Sequence, residues 1–217
     1  MSDGRTSALA HHFEDLEQQH EAASLGMWLF LATEVMFFGG VFVAYTVYRG
    51  MYLPGFEVGS HHLSIKLGAF NTVILLCSSL TMALAVRAAS LGKRRHLITF
   101  LVLTLLLGLT FVGVKLVFEW YHDYETGLAP GLNWTLGGPH ARGAQLFFVF
   151  YFTLTGIHAL HMVIGVGILL VLIVLAAKGR FTPENSNAVE MAGLYWHFVD
   201  VIWIFLFPLL YLIGAHN

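Results

Sequence analysis

The chain has 217 residues, of which 57% are apolar, 14% are aromatic and 11% are charged, and its formal net charge is −2 at pH 7. Soluble domains carry about a quarter charged residues, so this composition excludes an ordinary soluble domain and indicates an integral membrane protein. No basic tract suggests a nucleic-acid partner. The single cysteine, Cys77, excludes disulfides and thiolate metal sites within the chain.

Residues 1–24 form a polar, acidic N-terminal tail. The tail lacks the basic, then apolar, then small-residue order of a signal peptide. We therefore expect the first hydrophobic span to be kept in the mature protein and to act as its own insertion signal. Residues 25–217 are predicted to form a single transmembrane domain.

Five continuous apolar segments follow the tail, and each satisfies the length of about 20 residues that a membrane-spanning helix needs. Barrel strands would instead be short and alternating. The sequence therefore predicts an all-α bundle of five transmembrane helices. The spans lie at about 25–48, 63–86, 97–121, 144–177 and 191–214. The connection between the first two contains Pro54 and glycines as helix breakers.

The distribution of basic residues predicts the orientation of the bundle. Seven Lys and Arg residues lie in the N-terminal tail and in the second and fourth connections, against two in the first and third connections. Basic residues concentrate on the cytoplasmic side. The N-terminus is therefore predicted to be cytoplasmic and the C-terminus periplasmic.

One carboxylate, Glu34, stands near the middle of the first span. An ionisable group at that depth is costly and marks a functional-site hypothesis by default. Low-dielectric burial disfavours a charged carboxylate, so we expect Glu34 to be neutral and hydrogen-bonded. The expected partners are His158, His197, Asp200 or a lipid headgroup.

Three other spans also contain polar groups. Lys115 and Glu119 lie four apart in the third span, a spacing that fits either an ion-conducting site or a satisfied pair near the outer helix end. His158 and His161 lie three apart in the fourth span. Two histidines on one helix could ligate a metal or haem, or could hydrogen-bond neighbouring helices.

His197 and Asp200 lie three apart in the fifth span, where the acid could fix the histidine tautomer or join a structural polar network. A di-iron bundle would place Glu-x-x-His motifs on two helices. Thr155 and Leu194 occupy the positions that glutamates would need. The spacing of these residues therefore argues against a metal site in this chain.

Five motifs together resemble subunit III of the haem-copper terminal oxidases. They are WLFLATEVMFFGG, FNTVILLCSSLTM, FEWYHDY, FFVFYFTLTGIHALHMVIG and YWHFVDVIWIFLF, one from each span. The family commonly has seven helices, and the first two are missing from this pattern. The chain therefore resembles the short five-helix form of bacterial cytochrome c oxidases and quinol oxidases.

The resemblance implies an accessory subunit without a redox centre. Such a subunit packs against subunit I, supports proton uptake there and holds structural phospholipids. Haems and copper belong to the partner subunits, and subunit II and a small subunit IV are further expected partners. The complex would reduce oxygen to water with electrons from cytochrome c and pump protons across a bacterial inner membrane. Glu34 matches the family's intramembrane glutamate, and His158, His161, His197 and Asp200 match its polar positions.

Three alternatives stay open at this point. The chain could be subunit III of a quinol oxidase, or an accessory protein of a nitric oxide reductase in the same superfamily. A copper-binding motif in the neighbouring subunit II would distinguish a cytochrome c donor from quinol. An autonomous proton channel would need a polar file between both surfaces, and the segment IFLFPLLYLIG contains no carboxylate, histidine or basic side chain.

Overall fold

The computed structural model describes residues 16–183 and 185–213. Most of the predicted N-terminal tail, residues 1–15, and the predicted end of the last span at residue 214 lie outside this range. Across the described residues the regular structure is entirely helical, and five helices are long and apolar enough to cross a membrane. The predicted all-α fold with five spans is therefore confirmed.

Within residues 16–183 and 185–213 there are seven α-helices and one π-helical segment. Their bounds are α1 Leu16–Met51, α2 Leu53–His61, α3 Ile65–Ser90, α4 Arg94–Gly113, the π-helical segment Val114–Trp120, α5 Tyr121–Glu125, α6 Ala141–Ala177 and α7 Asn187–Tyr211. The third span consists of α4, the π-helical segment and α5 in one continuous rod.

α1 and α6 are longer than the apolar segments predict. α1 begins at Leu16, nine residues before the predicted start at Leu25. The added turns contain Leu, Glu, Gln and Ala, which are strong helix formers whether or not lipid surrounds them. At 1.5 Å per residue, helices of 36 and 37 residues span about 55 Å, well beyond a hydrocarbon core of about 30 Å.

The first connection is helical, although its proline and glycines predict a break. Pro54 lies in the first turn of α2, where a missing backbone N–H costs nothing. Gly55 serves helix packing, because a Cβ placed there would lie 2.5 Å from the Cα of Gly143 on α6. α2 therefore packs backbone to backbone against the start of α6.

The core of the bundle contains many aromatic side chains, and Trp196 among them packs directly against glycines of neighbouring helices. α3 packs against α4 and α7, and α6 packs against α2, α4 and α7. The ring of Trp196 on α7 fills the space above Gly108 and Gly165, where added Cβ atoms would lie 2.8 and 2.9 Å from it. α1 lies at the edge of the bundle, and most of its apolar side chains are exposed.

The end of α7 is held by side chains from two other helices. Tyr45 on α1 donates a hydrogen bond to the carbonyl oxygen of Leu209 at 2.5 Å. Ser60 on α2 donates to the carbonyl oxygen of Leu210 at 2.9 Å. The last four carbonyls of a helix have no intrahelical partner, so these side chains satisfy groups that lipid could not.

Candidate functional site

Glu34 lies beside a histidine of α6. Glu34 Oε2 is 3.2 Å from His161 Nε2, and the two side chains are 19% and 13% exposed. We call these two residues the carboxyl–histidine pair. Glu34 is only partly buried because α1 lies at the edge of the bundle, with lipid-facing residues on either side of it in the sequence.

The hydrogen bonds around His161 define how many protons the pair holds. Nδ1 of His161 lies 2.9 Å from the carbonyl oxygen of Ile157. A carbonyl can only accept, so Nδ1 carries a hydrogen. The facing Nε2 then bonds Glu34 only when one further proton lies between them, on the carboxyl or on the ring. The two side chains are close enough to share a proton, and in the present arrangement Glu34 Oε2 makes no hydrogen bond within the described residues.

Aromatic side chains surround the pair. The ring of Phe38 lies 5.5 Å from that of His161, and Tyr195 stacks on the other side of it with ring centroids 6.4 Å apart. The hydroxyl of Tyr195 donates to the carbonyl oxygen of His161 at 3.0 Å. This packing fixes the imidazole plane and restricts access to the shared proton.

The expected partners of Glu34 were His158, His197, Asp200 or a lipid headgroup, and among the side chains the structure places His161 beside it instead of these three. His197 Nδ1 pairs instead with Ser79 Oγ on α3 at 2.8 Å. His197 and Asp200 lie at about the same depth as Glu34, but the rotation of α7 about its axis directs their side chains toward α3. Sequence depth alone does not determine the rotation of a helix about its axis.

α3 and α7 are joined by a polar seam, formed by Ser78, Ser79, Trp196, His197 and Asp200. Trp196 Nε1 donates to Ser78 Oγ at 2.9 Å. Asp200 is 3% exposed, and neither carboxylate oxygen has a hydrogen-bond partner among the described residues. His197 therefore shares its hydrogen bond with Ser79, and Asp200 is not its partner.

His158 occupies an apolar position although it lies only three residues from His161. Its ring packs between Phe111 at 5.5 Å and Trp203 at 5.3 Å. It is 1% exposed, and neither ring nitrogen finds a partner within the described part of the chain. The two histidines therefore do not act together as ligands.

A buried ion pair lies nearer the start of α6. Lys115 Nζ is 2.5 Å from Glu119 Oε2, and both residues lie on the π-helical segment. Lys115 also donates to the hydroxyl of Tyr211 at 2.6 Å and to that of Tyr151 at 3.0 Å. We call these four residues the lysine cluster.

The hydrogen bonds of the lysine cluster are nearly complete. An ammonium has three donors, and each donor of Lys115 has an acceptor. Both tyrosine hydroxyls donate to Glu119 Oε2, with Tyr151 at 3.2 Å. Lys115 is 2% and Glu119 5% exposed. The pair is therefore enclosed by aromatic residues rather than held at a solvated helix end.

The sequence prediction omits several members of these sites. Tyr151, Tyr211, Ser79 and Tyr195 supply the hydrogen bonds that the predicted ionisable residues use. In the sequence each of these residues is a tyrosine or serine within an apolar span, and such residues are common in membrane helices. The available signal was the rule that a buried ionisable group needs partners on other helices.

Among residues 16–183 and 185–213, no three His, Cys, Asp or Glu side chains converge in an arrangement that could hold a metal ion. The two polar centres on α6 also lie apart, because His161 and Tyr151 are ten residues and therefore about 15 Å from each other along the helix. The arrangement provides a carboxyl–histidine pair at the bundle edge and an internal ion pair.

The chain resembles known proteins over nearly its whole length. A family model described as cytochrome c oxidase subunit III matches residues 9–215. Cytochrome c oxidase subunit 3 of Corynebacterium diphtheriae is 33% identical over 192 residues, which cover 88% of this chain and 87% of the relative.

Two further relatives are named for a different electron donor. Quinol oxidase subunit 3 of Bacillus subtilis is 30% identical, with 92% of both chains covered. Cytochrome bo(3) ubiquinol oxidase subunit 3 of Pseudomonas aeruginosa is 32% identical over 93% of this chain and 91% of the relative. The similarity is therefore shared between both classes of oxidase.

Proposed function

This chain belongs to the cytochrome c oxidase subunit III family and is subunit III of a haem-copper oxidase, and we propose that it is the accessory subunit of a proton-pumping cytochrome c oxidase. In this role it packs against subunit I, which performs the oxygen chemistry, and against subunit II and a small subunit IV. It supports proton uptake by subunit I and holds structural phospholipids. The chain itself supplies no redox centre.

The carboxyl–histidine pair is the observation that carries the proposed role in proton uptake. Glu34 and His161 lie 3.2 Å apart at the edge of the bundle, close enough to share a proton. A group that takes up and releases a proton beside the catalytic subunit would buffer the local supply of protons to that subunit between turnovers.

The orientation and location form part of the same proposal. The α3–α4 and α6–α7 connections carry most of the basic residues, which supports a cytoplasmic N-terminus and a periplasmic C-terminus. The bacterial names of the relatives support a location in the inner membrane. Reporter fusions after the α3–α4 connection and after α7 test the orientation, and cytoplasmic activity at both sites would contradict it.

The identity of the electron donor is the part of the proposal that has a strong alternative. The family description and the Corynebacterium relative favour cytochrome c, whereas the Bacillus and Pseudomonas relatives favour quinol. Gentle purification through a tag on this chain should yield a haem-containing complex that oxidises reduced cytochrome c. Oxidation of quinol alone would replace the cytochrome c assignment. A complex with nitric oxide reductase activity would replace both.

Chemical labelling tests the carboxyl–histidine pair directly. A hydrophobic carbodiimide reacts with a protonated carboxyl in an apolar site, so we expect labelling of Glu34 within the intact complex and its loss in Glu34→Gln. Glu125 is exposed, and Glu125→Gln is the matched control that should leave labelling unchanged. Equal labelling of Glu34→Gln and the native chain would contradict the assignment of the reactive acid.

The functional consequence requires a separate measurement. His161→Gln keeps a polar side chain but cannot take up a proton, so we expect a lower steady-state turnover of the complex and an earlier loss of activity during sustained turnover. His96→Gln replaces an exposed histidine of α4 and provides the control. Unchanged turnover in His161→Gln would limit the pair to a structural role.

A further inference from the structure

A cavity of about 460 Å³ opens beside the lysine cluster, between the start of α3 and the end of the third span. The third span contributes Glu119, Asp123 and Phe118 to its lining, and the segment that leads into α3 contributes His62 and Leu67. The carboxyl–histidine pair lies about 15 Å away along α6, so the cavity is a separate site.

The two acids of the cavity have hydrogen-bonding capacity that the chain does not use. Glu119 is 5% and Asp123 is 3% exposed. Glu119 Oε1 and Asp123 Oδ2 are buried and have no hydrogen-bond partner among the described residues. Because buried polar atoms are nearly always paired, these two oxygens point to a ligand that carries hydrogen-bond donors.

The charge of the site points to a cation. Asp123 lies close enough to Lys115 and Glu119 to interact electrostatically with both. When both acids are ionised, one lysine faces two carboxylates. Lys66 is exposed on α3, and within the described part of the chain no ion pair joins it to either acid. One negative charge therefore has no lysine or arginine beside it, and burying such a charge is costly unless a cation pairs with it.

His62 adds a third acceptor at the cavity. Its Nδ1 lies 2.8 Å from the carbonyl oxygen of Val58. That nitrogen must carry the hydrogen, because a carbonyl only accepts, and Nε2 of the neutral ring is then an acceptor. The ring makes an edge contact with Phe148, with centroids 6.5 Å apart. Two carboxylate oxygens and one imidazole nitrogen match the three donors of a primary ammonium group, whereas the five donors of a guanidinium outnumber them.

The cavity fits a tethered ammonium group better than a free ion. No three His, Cys, Asp or Glu side chains of residues 16–183 and 185–213 are arranged to hold a metal ion. A free amine pays the full cost of association, whereas an amine on a subunit that is already bound is held there at a high effective concentration. The stem of a lysine also packs along apolar surface while its charged head stays in a polar site. Leu67 and Phe118 offer that surface at the cavity.

We propose that this cavity is the docking site for a lysine side chain of a partner subunit, with the ammonium group bound by Asp123, Glu119 and His62. The inference rests on the proposed function, which places this chain in a complex with other oxidase subunits, and it names the contact surface and the chemistry of the partner. The incoming lysine gives the site two ammonium groups for two carboxylates. It thereby extends the lysine cluster across a subunit interface.

Amine footprinting of the intact complex tests the contact. The complex is purified through a tag on this chain and acetylated with a water-soluble N-hydroxysuccinimide ester, and the modified lysines of all subunits are mapped by mass spectrometry. We expect one lysine of a partner subunit to react at least tenfold more slowly in the native complex than in the complex with Asp123→Asn. The exposed Lys66 should react equally in both complexes, and the buried Lys115 in neither. The proposal is wrong if no partner lysine gains reactivity.

Matched variants separate the contact from misfolding. Glu125→Gln neutralises an exposed acid two residues from Asp123, and it should leave the partner lysine protected. If Asp123→Asn prevents assembly, His62→Phe removes the acceptor and keeps a ring against Phe148, and it should expose the same lysine. Full protection of that lysine in the assembled variant would refute the site.

The protected lysine allows a reciprocal test. Its replacement by methionine should weaken the retention of this chain in detergent as much as Asp123→Asn does, and the two changes together should weaken it no further, because both remove the same salt bridge. Additive losses would overturn the contact. The haem spectrum and subunit I content of the same samples report on the proposed function. A haem-containing complex without a protected lysine refutes only the contact, whereas a chain that purifies without haem or subunit I refutes the proposed function.

Discussion

Lys115→Met is the substitution that most directly tests the lysine cluster. At 2.5 Å from Glu119 and an effective dielectric constant of about 20, the attraction between the two charges is about 7 kcal/mol. Desolvation offsets much of it, and removal of one partner of a buried pair typically costs about 3–5 kcal/mol. We expect Lys115→Met to lower the free energy of unfolding by about that amount.

The neighbouring acid makes the two single substitutions unequal. Lys115→Met leaves Glu119 and Asp123 as two adjacent carboxylates without a cation, whereas Glu119→Gln leaves Lys115 with Asp123 as a second partner. Lys115→Met should therefore be the more destabilising change. The double variant removes both charges of the pair, and it should cost no more than Lys115→Met alone, which corresponds to a favourable coupling of about 3 kcal/mol.

The assay is an SDS titration of the purified chain in mixed micelles, followed by circular dichroism and tryptophan fluorescence. Lys66→Met, at an exposed position of α3, is the matched control and should change the free energy of unfolding by about 0.5 kcal/mol or less. A cost below about 1 kcal/mol for Lys115→Met, or a double variant whose cost equals the sum of the single ones, would refute the coupled buried pair.

Two packing predictions use the same titration. Gly55→Ala should destabilise the bundle by about 1–3 kcal/mol or more, because the new Cβ would lie 2.5 Å from the backbone of Gly143. Gly50→Ala is the control, since its Cβ would enter open space and should leave the stability nearly unchanged. Equal effects of the two substitutions would contradict the close approach of α2 and α6. Tyr45→Phe should cost about 1–3 kcal/mol because it leaves the carbonyl oxygen of Leu209 unpaired, and a stability equal to that of the native chain would show that this carbonyl finds another partner.

The five spans could be predicted from the sequence because each depends only on a local property. A run of about 20 apolar residues crosses the hydrocarbon core whatever its neighbours are, and all five spans are present. The family resemblance is likewise carried by motifs that are contiguous in the sequence. The helical state of the first connection was missed, because Pro54 and Gly55 favour a break locally, whereas the helix is stabilised by tertiary contacts such as the one with Gly143.

The sequence could not predict which side chains contact the ionisable residues of the spans. Glu34 and Asp200 can be ranked by depth from residue counts, but only packing determines the rotation of each helix, and it placed His161 beside Glu34. The lysine cluster shows the same limit, because its tyrosines are 36 and 96 residues from Lys115 along the chain.

The sequence by itself therefore determined the class, the family and the number of spans, since hydrophobic length and contiguous motifs are properties of one segment at a time. The tertiary structure decided which ionisable groups lie side by side, which form an ion pair and which face a cavity. Those outcomes depend on helix rotation and on the close approaches at Gly55, Gly108 and Gly165, and neither is encoded in the periodicity of a single apolar segment.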